Sequence, residues 1–549
     1  MKFHFALALL LGGCVGSTDD ADPAPTPDVP PAPATPDIPD VASDDTNAVD
    51  VAPDLNAGED VEEETDLPVG GDDSGPIARV EGPVPVSVDW AIQSTPGSGG
   101  TIASRAVPAL GGMVIATSFR GAVTFGGATV TSASDSEYEG LLVEVTDVGE
   151  ARWLRSLGAR VGVVALVGDQ ATGSVLACLQ VPANATPAAD IATVLGGATG
   201  LVTVRFDSAL HAASGGALTE SAYANCGAMA PLAGGAVVGG WASGEVAFAG
   251  GVSTTVPETV FYPGRAWIAY VDAEHAVSHV DFVGGTAASD VLKLVTGDAG
   301  VAAIGGFGGY PIGVQAVFAE GTPEATTLTA VSSDDDPAMD IWVARWSAPG
   351  QLAWAQRIRS YGNPTPADAW AKLEDSGSFQ ATFAGEAVES DPLHEGQLYL
   401  RPAGHRAFTT VRFDASGIAH GSAHPLGLAI YQGGYPYAVG VDLLAAGESR
   451  ELSPEVTLTV PSSTADAETS AIGLGTWNTS GQLLHGGALQ LRVPGGTWPL
   501  SLQAVTVSPG SALVYLNGSP TVALVPDEGE IVELVSDGYE RIVVAHLRW

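Results

Sequence analysis

A cluster of four aspartates carries oxygen ligands of the kind that a metal ion needs. Asp334, Asp335, Asp336 and Asp340 form the densest acidic group after residue 83. Carboxylate oxygens close together suit Ca²⁺. No EF-hand loop and no glycine-rich calcium repeat surrounds them, so a solvated loop is the competing interpretation. The sequence therefore leaves two possibilities for a cofactor: Ca²⁺ bound at this cluster, or no cofactor.

Three tyrosines form the aromatic group best suited to a ligand such as a sugar. Tyr431, Tyr435 and Tyr437 lie within the segment YQGGYPY, and His424 precedes them. Loops on a rigid scaffold that present aromatic rings and a few polar groups are typical of ligand sites. Tyr435 and Tyr437 also enter a strand, where they would only pack. Both interpretations stay open.

Three cysteines in 549 residues are too few for a disulfide scaffold. Cys14 belongs to the N-terminal region, which leaves Cys178 and Cys226. In an oxidising compartment these two can pair, and otherwise they are small buried thiols. A sequence does not give the distance between them, so pairing stays one of two alternatives.

A tryptophan or histidine recurs at one position of a repeated strand-turn-strand unit. Side chains at the same position of successive repeats point to equivalent and distant places, so a ring of histidine ligands is not expected. We expect packing between neighbouring repeats. The members of the series are Trp90, Trp153, His211, His279, Trp354, His420 and His485. Turn chemistry explains a second series in the same unit, Asp147, Asp207, Asp272, Asp414 and Asn478.

Sequence signatures of catalysis are absent. There is no G-x-S-x-G elbow, no H-E-x-x-H zinc motif, no Walker loop and no dinucleotide fingerprint after a strand. Carboxylates are scattered, and a sequence cannot place two of them across a cleft. The sequence therefore assigns no catalytic residue and favours a binding protein over an enzyme.

The composition favours an all-β fold with many tight turns. The chain contains 70 glycines, and its 21 Lys and Arg against 63 Asp and Glu give a formal net charge of −42. Frequent glycine and valine-rich runs with little charge are typical of short strands joined by turns. A charge this negative argues against nucleic-acid binding and against electrostatic docking to anionic lipid, which both need a basic surface.

The N-terminus has the layout of an export signal. Lys2 precedes an apolar run over residues 5–11 that is too short to span a bilayer. The segment LGGC, which ends at Cys14, resembles the lipobox of bacterial lipoproteins. That resemblance implies a signal peptide over residues 1–13 and lipid on Cys14, including a fatty acid such as palmitate. In that family a residue other than aspartate after the cysteine, here Val15, points to the outer membrane or cell surface.

Residues 14–83 have the composition of a disordered tether. Between Val15 and Ala78 the sequence holds 18 Asp or Glu and no Lys or Arg, with many prolines. Such a segment cannot bury enough apolar surface to offset its ordering entropy. Proline and self-repelling charge favour an extended spacer.

A strand-turn-strand unit repeats seven times in the remaining sequence. The first copy, GLLVEVTDVGEARW, runs from Gly140 to Trp153, and the seventh, from Ile542 to Trp549, stops before its second strand. The copies between them begin at Gly200, Trp267, Ile341, Phe408 and Ile472. Each interval adds an inner strand introduced by glycine or alanine and often a weaker third strand. Four short strands per repeat predict one seven-bladed β-propeller over residues 84–549.

The same repeats resemble those of bacterial seven-bladed propellers of the SBBP type. The shared pattern is V-x-G-x-F, then F-G, then F-V-A-x-x-D-x-x-G-x-x-x-W. The best copies here run from Gly111 to Trp153 and from Gly234 to His279, and His replaces Trp in four of the seven units. The resemblance implies the fold and says little about function.

The incomplete seventh unit predicts how the ring closes. Its missing strand is supplied by SVDWAIQ, Ser87 to Gln93, if the two ends of the repeat region pair. Such a pairing joins strands from both termini and removes an exposed sheet edge. We therefore expect these two segments to be neighbours.

Together these features predict a lipid-anchored, monomeric protein of the cell envelope. Its propeller is expected to be a non-catalytic binding or scaffolding module for a protein or glycan, with no nucleic acid as partner. The alternative is a propeller hydrolase or lyase that acts on polysaccharide. Carboxylates, histidine and tyrosine gathered at one mouth of the channel would favour the enzyme, and a smooth mouth of small residues would favour binding.

Overall fold

The computed structural model divides the chain into two units, Met1–Arg79 and Val80–Trp549, and describes residues of the second. The described residues are 85–94, 99–109, 111–133, 137–169, 172–220, 223–232, 235–256, 264–308, 313–330, 340–360, 371–384, 386–388, 399–401, 408–421, 430–432, 438–445, 449–453, 456–459, 469–477, 483–492, 499–508, 511–518, 521–525, 532–535 and 541–549. The expected signal peptide, the tether and Cys14 lie outside them.

The described chain is all-β apart from one short helix, as the composition predicts. The first strands are β1 Ser87–Gln93, β2 Gly99–Ala109, β3 Gly112–Arg120, β4 Ala122–Phe125, β5 Ala128–Thr131, β6 Glu139–Thr146, β7 Ala151–Ala159, β8 Gly162–Asp169, β9 Ser174–Val181, β10 Thr186–Pro187, β11 Gly200–Phe206, β12 Ala212–Thr219, β13 Ala224–Leu232, β14 Gly235–Ala242, β15 Gly244–Ala247, β16 Ser253–Val256, β17 Arg265–Val271, β18 Val277–Phe282, β19 Gly284–Gly285, β20 Ala288–Ser289, β21 Lys293–Gly297 and β22 Gly300–Gly308. The others are β23 Gln315–Phe318, β24 Thr326–Thr329, β25 Asp340–Ala348, β26 Gln351–Ser360, β27 Ala371–Leu373, β28 Phe379–Ala384, β29 Glu386–Val388, β30 Tyr399–Arg401, β31 Phe408–Phe413, β32 Ala419–Gly421, β33 Ile430–Gln432, β34 Ala438–Ala445, β35 Ser449–Ser453, β36 Val456–Thr459, β37 Thr469–Trp477, β38 Leu483–Arg492, β39 Pro499–Ser508, β40 Ser511–Gly518, β41 Thr521–Val525, β42 Val532–Val535 and β43 Arg541–Arg548. The helix α1 is Ala189–Leu195.

Most described strands belong to seven antiparallel groups of four, in which neighbours lie side by side from a first to a fourth strand. We call these groups sheets 1 to 7. Sheet 1 is β2-β3-β6-β7, sheet 2 is β8-β9-β11-β12, sheet 3 is β13-β14-β17-β18, sheet 4 is β21-β22-β25-β26, sheet 5 is β27-β28-β31-β32, sheet 6 is β33-β34-β37-β38 and sheet 7 is β39-β40-β43-β1. The repeated unit of the sequence is the third strand, the hairpin turn and the fourth strand of each sheet.

Sheet 7 contains strands from both ends of the described chain. β1 pairs antiparallel with β43, with Ser87 opposite Arg548 and Gln93 opposite Val543. Beyond the strand, the Ser94 backbone N–H donates to the Ile542 carbonyl at 2.9 Å. The predicted pairing of Ser87–Gln93 with the C-terminal segment is confirmed. It gives β43 a partner on the side that would otherwise be an open edge.

The middle strands are mostly apolar and buried because both faces of each sheet are covered. All eight residues of β6 are buried, as are six of the seven in β17. A sheet with one solvated face would alternate apolar and polar residues, whereas a sheet packed on both faces carries nearly continuous apolar runs. Val, Ile and Leu in these runs suit the pleated strand.

Apolar clusters fill the spaces between neighbouring sheets. In the described residues they lie between sheets 1 and 2, 2 and 3, 3 and 4, 4 and 5, 6 and 7, and again 7 and 1. The last of these packs Ile115 and Leu141 with Tyr515 and Val544. First strands adjoin in the same order, β2 with β8, β8 with β13, β13 with β21, β21 with β27, β33 with β39, and β39 with β2.

The connection from the second to the third strand of every sheet carries extra structure, which we call the insertion. It is β4-β5, β10 with α1, β15-β16, β23-β24, β29-β30, β35-β36 and β41-β42 in sheets 1 to 7. Four insertions pair with strands of, or next to, the preceding sheet: β10 with β7, β23 with β19, β30 with β26 and β41 with β38. In sheet 3, Phe248 bridges to Thr219 of sheet 2.

The helix α1 was not expected from the sequence. It buries Ile191 and Leu195 and ends at Gly196, whose backbone is left-handed. Seven residues hold too few turns for a helical periodicity to stand out from the surrounding strands. In the part of the chain that the structure describes, no helix is long and apolar enough to cross a membrane.

Candidate functional site

The most elaborate polar and aromatic contacts lie where the fourth strand of one sheet meets the hairpin turn of the next. We call such a place a junction and name it by its two sheets. At junction 7–1, Trp90 covers Gly149 and donates its indole N–H to the Asp147 carbonyl at 3.0 Å. At junction 4–5, Trp354 covers Gly417. A Cβ on either glycine would lie 2.7 Å from a ring atom, so only glycine fits under the ring.

The tryptophan and histidine series contacts neighbouring sheets to different extents. Trp90, His279 and Trp354 lie against the turn of the next sheet, as expected. His211 is 61% exposed, yet its ring centroid lies 6.2 Å from that of Trp153 in the neighbouring sheet, so it too makes a contact between sheets. His420 is 60% exposed, and the turn of sheet 6 that would face it lies outside the described residues. Each of these two lies within 4 Å of a turn carboxylate, Asp207 at 3.9 Å and Asp414 at 3.7 Å. A side chain at the beginning of the fourth strand is covered only when its ring reaches the neighbouring turn.

Turn chemistry does account for the aspartates that precede the fourth strands. One carboxylate oxygen of Asp207 accepts two backbone N–H groups, and Asp272 and Asp414 repeat this arrangement. These contacts hold the turn in shape. Asn478 lies outside the described residues.

Cys178 and Cys226 form a disulfide between two sheets. Cys178 lies in β9 of sheet 2 and Cys226 in β13 of sheet 3, and both are buried. The structure therefore selects pairing from the two alternatives that the sequence left open. Their Cα atoms are 6.7 Å apart, a distance that no local sequence pattern encodes because it depends on how two sheets pack.

Of the aspartates proposed to bind Ca²⁺, Asp340 is described, and it is paired. It begins β25, is 1% exposed, and lies 3.7 Å from the Arg357 guanidinium. Arg357 also donates to the Thr329 carbonyl at 2.8 Å, so this carboxylate helps to join β24, β25 and β26. Asp334, Asp335 and Asp336 lie outside the described residues, and Ca²⁺ stays a prediction. No three described His, Cys, Asp or Glu residues form a metal-binding group.

The tyrosine group proposed to bind a ligand is only partly described. Tyr431 lies in β33, the first strand of sheet 6. Tyr435, Tyr437 and His424 fall outside the described residues. The interpretation of these side chains as a sugar site is neither supported nor contradicted.

The sequence did not single out a cluster of three titratable side chains, Tyr270, His279 and Asp281, at junction 3–4. The Asp281 carboxylate accepts from His279 Nε2 at 3.2 Å and from the Gly350 N–H at 3.3 Å. The buried Tyr270 hydroxyl is near this carboxylate but makes no hydrogen bond of ordinary geometry. Tyr270 and Asp281 come from neighbouring strands, while Gly350 is in the turn of sheet 4.

Burial dominates the electrostatics of this group. It raises the pKa of the Asp281 carboxyl, and the neighbouring His279 opposes that shift. Burial, and then the Asp281 charge, raise the pKa of the Tyr270 hydroxyl. The three groups lie on the third and fourth strands of sheet 3, roughly 10–14 Å from the first strand at about 4.8 Å per strand. They therefore lie away from the row of first strands, and their hydrogen bonds link sheets 3 and 4.

A second missed histidine, His546, links the strands of sheet 7. Its Nδ1 lies 3.0 Å from Asp89 of β1, and its Nε2 lies 2.7 Å from the Ser511 hydroxyl of β40. Burial lowers the pKa of His546, and Asp89 opposes this shift. The Trp90 ring is 5.9 Å from the imidazole. His546 thus ties together the two ends of the described chain.

Comparisons with known proteins assign neither a family nor an activity. No protein-family model matches the chain, and no curated protein matches it. Among solved structures, the chain is similar to one described as the extracellular domain of a hybrid two component system of B. thetaiotaomicron. The likeness covers 80% of this chain and 70% of that one at 8% identity, with a TM-score of 0.17. A TM-score at this level carries no argument about fold or function.

Proposed function

We propose that this chain is a lipid-anchored protein of the cell envelope whose seven sheets form one β-propeller that binds or scaffolds a partner without catalysis. The observation that carries the proposal is the bracing of neighbouring sheets. Five insertions bond to the preceding sheet or to a strand next to it, and glycine turns lie under rings at the junctions. Contacts of this kind make a rigid platform, on which connecting loops are well placed to bind.

The propeller part of the proposal is supported by the order of the contacts. Seven four-stranded groups follow one another, and the apolar cluster between sheets 7 and 1 brings the series back to its start. First strands adjoin in the same order, and β39 of sheet 7 lies beside β2 of sheet 1. Radial repetition of four-stranded sheets is the propeller architecture.

The envelope location is supported by the disulfide together with the N-terminal sequence. Disulfides persist in secreted and periplasmic compartments and are rare in the cytosol. The Cys178–Cys226 bond joins two sheets, and the sequence before it offers a lipobox-like cysteine at Cys14. The acidic, proline-rich residues 14–83 then act as a spacer between lipid and platform.

The ligand surface is proposed at the end of the sheets that carries the insertions. In sheet 7, Gly518 and Arg541 flank the insertion, whereas Ser87 pairs with Arg548 at the opposite end. We propose the insertion end as the surface that binds a protein or glycan, because the connecting loops with extra structure gather there. Tyr223 lies at this end, in the connection between β12 and β13, and is 68% exposed.

A lipid-labelling experiment tests the anchor. Full-length protein expressed in a bacterial host should incorporate labelled palmitate and fractionate with membranes, and Cys14→Ser should lose both properties. Val15→Asp is the matched control, which should keep the label. Equal labelling of the Cys14→Ser variant would overturn the lipid site.

A glycan and protein binding screen with a parallel hydrolysis assay tests the binding role. Binding without release of smaller products supports the proposal, and release of products supports the polysaccharide hydrolase or lyase instead. For any ligand found, Tyr223→Ala should weaken binding several-fold. Ile418→Ala, a 59% exposed residue at the hairpin-turn end, is the matched control and should bind normally. Weaker binding by Ile418→Ala and normal binding by Tyr223→Ala would place the ligand at the hairpin-turn end and contradict the proposed surface.

A further inference from the structure

Junction 2–3 is built around a buried histidine in the hairpin turn of sheet 3. His275 is 4% exposed and has a left-handed backbone, with φ at 65°. Its Nδ1 lies 2.8 Å from the Thr203 hydroxyl of β11, and its Nε2 lies 2.8 Å from the Ser214 hydroxyl of β12. Both ring nitrogens therefore bond across the junction to sheet 2.

At junction 2–3 the turn and the fourth strand have the reverse of the roles that they have at other junctions. At junctions 3–4 and 4–5 the turn supplies Gly350 or Gly417, and the fourth strand supplies the ring. At junction 2–3 the turn supplies the ring and the fourth strand supplies the gap at Gly216. A Cβ on Gly216 would lie 2.8 Å from the His275 Cβ. A left-handed backbone is uncommon for residues other than glycine, but histidine tolerates it better than most, and the contacts with sheet 2 help to hold the turn in this form.

Those contacts suit the neutral imidazole. In a neutral ring one nitrogen donates and the other accepts, and the two hydroxyls can complete both bonds. After protonation both nitrogens donate, which the two hydroxyls can still accept. The closed turn is disfavoured instead because it would bury a positive charge at a residue that is 4% exposed. The charged groups that act on the ring are Arg205 from β11, and Asp272 and Glu274 from its own turn. Burial and then Arg205 lower the pKa of His275, and the two carboxylates oppose this shift.

A covalent bond secures the same junction at another place. The Cys178–Cys226 disulfide joins β9 to β13, the second strand of sheet 2 to the first strand of sheet 3. The histidine acts instead at the hairpin turn between β17 and β18. One contact can therefore open while the other keeps the sheets together.

We propose that His275 is a proton-operated latch, which holds the turn of sheet 3 against sheet 2 when neutral and releases it when protonated, while the Cys178–Cys226 bond keeps β9 and β13 joined. The direction of the pH dependence follows from proton binding to the closed and released turns. The released turn takes up a proton near pH 6.5, the ordinary pKa of histidine, and the closed turn does so at lower pH. Closure is therefore complete above about pH 6.5 and is lost progressively below it. This inference does not depend on the proposed ligand or anchor.

Hydrogen exchange of the full chain tests the latch. Protection factors for amides of residues 272–276 should be constant above about pH 6.5 and fall by up to tenfold for each pH unit below it. His275→Asn keeps a polar side chain that tolerates the left-handed backbone and does not titrate. Its protection should not change with pH. A pH-independent wild type, or the same acid step in His275→Asn, would overturn the proposal.

A matched control and a second variant separate the latch from general acid sensitivity. His211→Asn removes an exposed histidine at the hairpin turn of sheet 2 and should leave the acid step of residues 272–276 unchanged. Arg205→Gln removes a positive charge that opposes protonation of His275 in the closed turn. The pKa of the closed form should rise toward that of the released turn, so the acid loss of protection should begin at the same pH but be smaller. An acid loss of protection that is as large or larger in Arg205→Gln contradicts the proposal, even if His275→Asn fails to fold.

Discussion

At the scale of single residues, several titratable groups of this protein lie between strands or sheets that they join. His546 ties β1 to β43, and Asp281 receives hydrogen bonds from β18 and from the turn of sheet 4. Burial shifts the pKa of each group away from its ordinary value. A change of pH therefore acts first on how the sheets are held together.

Asp290 gives the sharpest prediction at this scale. It lies just before β21, accepts from the Gly306 N–H at 3.0 Å, and burial raises its pKa to about 6. A carboxyl with a raised pKa stabilises the fold fully below about pH 3.8, and this contribution is lost as the pH rises through about 6. Asp290→Asn keeps an acceptor without a charge, so it should raise the free energy of unfolding at pH 8 by on the order of 1–2 kcal/mol.

Denaturant unfolding at pH 4.5 and pH 8 measures this effect. Asp290→Asn should show a smaller loss of stability between the two pH values than the wild type. Asp298→Asn, which changes an exposed aspartate in a nearby turn, is the control and should follow the wild type. Equal pH dependence in all three proteins would show that Asp290 is not the group responsible.

At the scale of elements, hairpin turns and insertions decide how one sheet is joined to the next. Gly417 combines a φ of 88° with a Trp354 ring atom 2.7 Å from where a Cβ would lie. Gly321, in the turn between β23 and β24, has a φ of 84° and open space around it. The two glycines therefore separate the cost of a left-handed backbone from the cost of a ring above it.

Gly417→Ala should destabilise the protein more than Gly321→Ala. The backbone conformation costs about 1 kcal/mol in each variant, and displacing Trp354 adds roughly 1–3 kcal/mol in the first. Chemical denaturation of both variants measures the difference. Similar losses in the two variants would mean that the ring moves aside without cost.

The Cys178–Cys226 disulfide also joins neighbouring sheets. It closes a loop with a sequence separation of 48 residues, for which the chain-entropy relation gives about 4 kcal/mol of stabilisation. The double variant Cys178→Ala with Cys226→Ala should lose stability of this order in denaturant unfolding. The wild type in reductant should behave like the double variant, and the double variant itself should be insensitive to reductant. An unchanged unfolding midpoint would contradict the prediction.

At the scale of the whole molecule, the pairing of β1 with β43 closes sheet 7. Removing residues 1–94 should leave the side of β43 that faces β1 unpaired and take Trp90 away from Gly149. An open strand edge is a template for pairing with another chain, so this truncation should melt at lower temperature and form dimers or larger species at micromolar concentration. Light scattering and thermal unfolding measure both outcomes.

A shorter truncation is the matched control for this experiment. Removing residues 1–84 takes away the acidic and proline-rich segment but keeps β1, so the protein should stay monomeric with an unchanged melting temperature. If both truncations behave alike, closure by β1 does not stabilise the molecule.

The sequence alone determined the strand-turn-strand units, the turn role of Asp207, Asp272 and Asp414, and the pairing of the two ends. These features follow from residue types that are close in the chain or from one repeat left incomplete, so a local pattern is enough to read them. The sequence left the Cys178–Cys226 pairing open, did not distinguish the exposed His211 and His420 from the buried Trp354, and gave no sign of Asp290.

Tertiary structure decided which distant residues meet. In the described turns, one position is glycine in three sheets, at Gly149, Gly350 and Gly417, but histidine in sheet 3, at His275. This difference is visible in the sequence. The contacts that His275 makes depend on Gly216 and Ser214 in another sheet, which the sequence does not show. Burial and packing between sheets set the pKa of Asp290 and the distance between the two cysteines. Both depend on how neighbouring faces pack, which periodicity within a strand does not encode.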